Sequence, residues 1–393
     1  MSEFEGRRRR ADSPLVAGSE LMLQHPSGAI ARIAVVIDQL DDDGYRTPLV
    51  EDVLAAFPHG EVHVVDDRRA RPGAAIAGRI PTCHAVATPR RRLFRRPPTD
   101  ADAAPRLDDV DVVLRIGDRR VRGFTTAADT LDLTYILALD GSEEPGSKRL
   151  GPSLRDRCAL HSSDVVWCAS HSLMQILRQR WNVEANMLYP PAHLAAAPTR
   201  PGAKTLVVAV GGDHGCGWTA RLATLARVRR DLTVVAHGGA ADRRSRHIVR
   251  SEPSAERFRE LLPEALAVIM PPGDTFDPRS VWAQDAGVPV IAPLRGAAGE
   301  TVEGLERRAP TGMLLDELTD DALLDAVGFI EHHRELFRAE TLKRQAARWS
   351  PERFRGTLKS LVLDAWCRHV ARFEPVAVEP ARQPRAEEAV FPF

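Results

Sequence analysis

The chain has 393 residues, more than the roughly 100–200 of one ordinary domain, and its 44% hydrophobic and 27% charged composition is that of a globular protein. Lys+Arg and Asp+Glu both number 54 and only 5% of residues are aromatic, which speaks against nucleic-acid binding through global charge or through a basic, aromatic platform. No run approaches about 18 apolar residues, no apolar segment follows the first arginines, and the five cysteines show no C-x-x-C spacing, so a cytoplasmic protein with reduced thiols is expected.

Residues 1–29 are polar and are expected to form a disordered leader. The run "ARIAVVID" (31–38) is apolar throughout, as a strand buried on both faces of a parallel sheet must be. "TPLVEDVLAAF" (47–57) then carries Leu49, Val53, Leu54 and Phe57 at helical spacing. A strand at 60–66 follows. The basic run "PRRRLFRRPP" (89–98), like "GRRRR" (6–10), reads either as a solvated segment or as a contact for anionic lipid head groups.

Strands are expected again at 110–117, 131–139 and 162–170, and a helix at 171–181. A Pro- and Ala-rich stretch (192–204) reads as a linker, after which the rhythm restarts. Strands at 205–212, 231–239, 266–272, 288–293 and 312–317 alternate with helices at 220–230, 254–265, 279–287, 319–334 and 336–347. A further helix at 349–373 starts with Ser350 as N-cap and Pro351 in its first turn, and a Pro-rich tail (374–393) closes the chain. The pattern predicts two doubly wound α/β domains, 30–191 and 205–348, facing a cleft, with the helix at 349–373 crossing back. A ligand is expected in that cleft, beside the carboxyl ends of the strands.

The segments "MLYPPAHL" (187–194), "RGAAGETVEGL" (295–305), "TGMLLDELTDDAL" (311–323) and "WSPERFRGTLKSLV" (349–362), in this order and at these separations, resemble family-4 glycosyltransferases of the GT-B fold, near bacterial polysaccharide mannosyltransferases. The likeness covers roughly residues 31–365. It implies a retaining, metal-independent transfer from a nucleotide-diphosphate sugar to a glycan or glycolipid acceptor, and no other cofactor. It also implies that the growing negative charge on the departing diphosphate must meet preorganised donors.

The site residues are carried over from that resemblance, and several depart from its pattern. The family's pair of glutamates falls on Asp274 and Trp282, and an indole can donate one hydrogen bond but cannot accept two from a ribose. The diphosphate-facing Arg and Lys fall on Gly212 and Gly217 in "VGGDHGCGW" (210–218). There Gly211, Gly212 and His214 either hold an anion through backbone N–H groups or simply make a tight turn.

The sugar-contacting His falls on Leu137, with Asp140 nearby as a hydroxyl contact or a cap. In the first glycine loop Gly44 is kept and Tyr45 fills the close approach that a second glycine leaves open. Glu300 and Thr301 match a loop near the nucleotide, although a glutamate at a helix start also complements the helix dipole. Two readings follow: an active glycosyltransferase using Asp274, Asp140, His214 and Glu300, or a catalytically inactive shell that serves as a binding or protein-partner module. An epimerase of similar fold would suffer the same losses.

Overall fold

The computed structural model describes residues 31–37, 46–64, 83–85, 106–107, 109–118, 125–139, 154–194, 205–210, 216–238, 248–252 and 254–373. The leader, the segment 89–98, residues 195–204 of the linker and the tail from 374 lie outside them, as do Gly44, Tyr45, Asp140, Gly211, Gly212 and His214.

The first sheet contains β1 (Ile33–Ile37), β2 (Glu61–Val64), β3 (Cys83–Ala85), β5 (Val112–Gly117), β7 (Leu131–Ile136), β8 (Val165–Cys168) and β9 (Asn186–Met187), while β4 (Arg106–Leu107) pairs with β6 (Thr125–Thr126) apart from it. All seven run parallel, in the order β3-β2-β1-β5-β7-β8-β9. Every residue of β1, β5 and β7 is buried, which is why those strands read as mostly apolar runs. Two opposite charges interrupt them, one on each of β5 and β7: Arg115 donates from Nε at 3.0 Å and from Nη2 at 2.7 Å to the Asp132 carboxylate, so the interior cation is neutralised in a forked geometry.

The second sheet contains β10 (Leu206–Val210), β11 (Thr233–His237), β12 (Ile248–Ser251), β13 (Ala265–Ile269), β14 (Val290–Pro293) and β15 (Gly312–Leu315), parallel in the order β12-β11-β10-β13-β14-β15. Its helices are α4 (Cys216–Val228), α5 (Ala255–Leu261), α6 (Pro278–Asp285), α7 (Asp320–His332) and α8 (Ala339–Ala346). The first half contributes α1 (Arg46–Ala56), α2 (Leu154–His161) and α3 (His171–Ile176). The helix expected over 171–181 is wound as α only to Ile176. Leu177–Trp181 form a π turn ended by Asn182 at φ 52°, a residue type that tolerates the left-handed region.

Both sheets are doubly wound, and the strand order reverses between β1 and β5 and again between β10 and β13. The last helix, α9 (Pro351–Ala371), returns to the first half: Phe354, Leu358, Val362 and Trp366 share a core with Leu49 and Val53 of α1. Beside it Ala192 N–H donates to the Trp349 carbonyl at 2.8 Å, so the outgoing and returning chains lie side by side.

Candidate functional site

A doubly wound sheet offers ligands the crevice at the carboxyl ends of its strands, where the order reverses. The segments that follow β1 and β10 in the sequence, with Gly44, Tyr45, Gly211, Gly212 and His214, lie outside the described residues. The neighbouring loops after β13 and β14 are described, and they carry Asp274 and Glu300.

The two loops are built as a pair. Ala297 N–H donates to the Gly273 carbonyl at 2.9 Å, and Gly296 allows this approach, since it sits at φ 105° and a Cβ there would stand 2.5 Å from that same oxygen. Asp277 ends the first loop by capping α6, accepting from Arg279 N–H at 2.9 Å ahead of Pro278 in the first turn. Phe276 is buried in the core of the first half rather than in that of its own sheet.

Both acidic residues face the first half. Glu300 accepts from the backbone N–H of His171 and of Ser172, each at 2.8 Å, and from the Tyr189 hydroxyl at 2.6 Å. Asp274 accepts from the Ser172 hydroxyl through its carboxylate, and from the Ser170 hydroxyl at 2.6 Å through its carbonyl. Ser170 Oγ meanwhile caps α3, accepting from Leu173 N–H at 3.0 Å. Burial and the adjoining Glu300 carboxylate push the Tyr189 phenol well above its ordinary range, so it stays a donor. Burial likewise pushes the Cys168 thiol up to about 12, which makes it an inert neighbour rather than a nucleophile.

Trp282 lies on α6, partly buried, with its ring 6.2 Å from that of Phe258 and 4.2 Å beneath the Arg259 guanidinium. Its Nε1 is buried with no hydrogen-bond partner among the described residues. Arg259 reaches across to the His193 carbonyl at 3.2 Å, so the indole supports a second contact between the halves. Thr301 is buried, its hydroxyl joined to Ser280 Oγ at 2.9 Å and to the Ala298 carbonyl at 2.8 Å, which makes it an internal brace of the loop. Leu137 is fully buried, and Gly217 lies exposed in the first turn of α4 with open space where a side chain would extend.

The structure therefore brings Asp274, Glu300 and Thr301 together and sets Trp282 one helix away. It also shows three partners that sequence reasoning missed: Ser170, Ser172 and Tyr189. Only Tyr189 left a trace in the sequence, inside "MLYPPAHL". Among the described residues no group of His, Cys, Asp or Glu could hold a metal ion, and no helix is long and apolar enough to cross a membrane.

No protein-family model matches the chain, and no curated protein matches it. Solved structures do. The sucrose-phosphate synthase of Thermosynechococcus elongatus is 16% identical at a TM-score of 0.61, over 86% of this chain and 100% of that one. Anabaena HepE in complex with UDP is 13% identical at 0.61, over 85% and 100%. A glycosyltransferase from Rickettsia africae is 12% identical at 0.56, over 85% and 98%. At such identities the likeness is one of fold: the chain has a glycosyltransferase-like GT-B fold of two α/β domains.

Proposed function

We propose that the protein is a retaining, metal-independent hexosyltransferase of the GT-B kind, taking a nucleotide-diphosphate sugar in the cleft and a glycan or glycolipid acceptor, in the cytoplasm or at the inner face of a membrane through 89–98. The observation that carries this reading is the paired loop after β13 and β14. It sets Asp274 and Glu300 at the carboxyl ends of adjacent strands, on the side facing the other domain. The solved relative with UDP supports the ligand class by analogy of fold. In this reading Asp274 and Asp140 face the sugar, the turn at Gly211, Gly212 and His214 meets the diphosphate, Glu300 and Thr301 order the nucleotide side, and Gly44 with Tyr45 line the acceptor loop.

A second reading starts from the same contacts. Asp274 and Glu300 are both engaged by the first domain, and Trp282 supports Arg259 where the resemblance places a ribose-binding acid. A GT-B shell closed in this way would act as a binding module without turnover.

One experiment separates the two. UDP-glucose and GDP-mannose are titrated into the full chain by calorimetry and assayed for release of the nucleotide. Micromolar binding of one of them with release that disappears in Asp274→Ala supports the enzyme, and failure of both sugar nucleotides to bind supports the closed shell. A further variant sharpens the result: Gly217→Lys enters open space, so it should leave the fold intact and tighten nucleotide binding by restoring one diphosphate-facing cation.

A further inference from the structure

A cavity of about 240 Å3 lies where the chain passes between the halves, bounded by Tyr189 and Pro190 on one side and by Arg348, Trp349, Arg353 and Thr357 on the other. Two guanidinium groups line it and no carboxylate does. Arg348 is held in place, since its Nη1 donates at 3.3 Å to Gln345 Oε1 and at 3.3 Å to Glu303 Oε1, and its head lies 5.6 Å from the Trp349 ring centre. The exposed Arg353 side chain has no ion pair or hydrogen bond among the described residues, for only its backbone N–H is engaged, by the Ser350 cap. Tyr189 and Trp349 meet edge to face at 6.1 Å and form an apolar corner beside these cations.

We propose that this cavity binds a small phosphorylated molecule with a ring body, of about the size of a hexose phosphate. Its phosphate lies between Arg348 and Arg353, and its ring lies against Trp349. Guanidinium forks match the oxygens of a phosphate monoester, which carries about −1.5 to −2 near neutral pH, and the site offers Arg353 together with the N–H groups that Arg348 does not commit to Glu303 and Gln345. The volume falls below the roughly 300–1,000 Å3 of sites for drug-sized ligands, so a whole nucleotide sugar does not fit. The inference is independent of what the cleft binds. The two places nonetheless share Tyr189, whose ring walls the cavity while its hydroxyl holds Glu300.

The test is calorimetric titration of the full chain with glucose 1-phosphate, glucose and inorganic phosphate. The expected result is one site for glucose 1-phosphate, weaker binding of phosphate alone, none of glucose, and affinity that falls as salt is raised. Arg353→Ala should weaken the sugar phosphate at least tenfold and Arg353→Lys by less, because an ammonium cannot form the fork. Thr357→Trp, which fills the cavity from an exposed helix position, should abolish binding. Three results would overturn the proposal: no binding at millimolar ligand, unchanged affinity in Arg353→Ala or Thr357→Trp, or inorganic phosphate binding as tightly as the sugar phosphate.

Discussion

The two halves meet in two regions that differ in kind. Where α9 returns onto α1, the contact is apolar: Phe354, Leu358, Val362 and Trp366 are buried with Leu49 and Val53. Where the loops after β13 and β14 meet α3, the contact is mainly polar, made by Asp274 and Glu300 on Ser170, His171, Ser172 and Tyr189, with Phe276 as a buried apolar anchor. Apolar area removed from water has nothing to exchange with when the surfaces part, so it holds at every stage of a motion. A carboxylate released from N–H donors regains water, and its net contribution is modest. The first region is thus a permanent joint, and the second is a closure that a ligand or solvent can replace.

The largest expected effect is at the joint. Leu358→Ala, at a fully buried position, should destabilise the protein by about 2–5 kcal/mol, seen as a lowered denaturant midpoint. A loss near zero would mean that the returning helix contributes little to holding the halves together. At the closure, Glu300→Gln keeps the shape but removes the charge and one acceptor, so with the amide oxygen facing His171 and Tyr189 the Ser172 N–H is left against an NH2 group. These bonds are lost when the closure opens locally, whereas the denaturant midpoint reads global unfolding, so amide exchange at His171 and Ser172 should rise at least tenfold while the midpoint shifts less than in Leu358→Ala. Equal shifts in the two variants would erase the distinction.

The pH predictions are smaller and have opposite signs. At the joint, His193 forms a 2.8 Å ion pair with Asp52, and that carboxylate raises its pKa above the ordinary 6.5. Its contribution is complete below 6.5 and is lost as pH rises through the raised value, a trend that Asp52→Asn should remove. In the second domain, burial, aided by Arg279, lowers the His237 pKa to about 4. Its contribution is complete above 6.5 and is lost as pH falls from 6.5 toward 4, a trend that His237→Phe should remove. Stability profiles of the two variants that bend the same way would refute one of these assignments.

The central strands could be read in the sequence because burial on both faces leaves apolar runs such as Ile33–Ile37 and Ala265–Ile269. The strands that were missed are β3, β9 and β12, outermost in their sheets, and the two-residue pair β4 and β6, which stands apart; none is held between two neighbours that demand such a run. The site was legible only in part, for the same kind of reason. Asp274 and Glu300 stand at recognisable places in local motifs, but their partners lie 102 to 129 residues away along the chain, and nothing local tells a serine that caps a helix that it will also hold a distant loop. Trp282 also supports Arg259, a contact that depends on the position of a neighbouring helix rather than on spacing within its own and so left no mark in the sequence.

The hydrogen bond from Ala192 to Trp349 fixes the outgoing and returning chains at one point. Two separate tethers would let one lobe swing and twist about the other in several directions, like a ball in a socket. Tethers joined side by side restrict such swinging, as a hinge pin restricts a door leaf, and any opening would carry Asp274 and Glu300 away from α3 together.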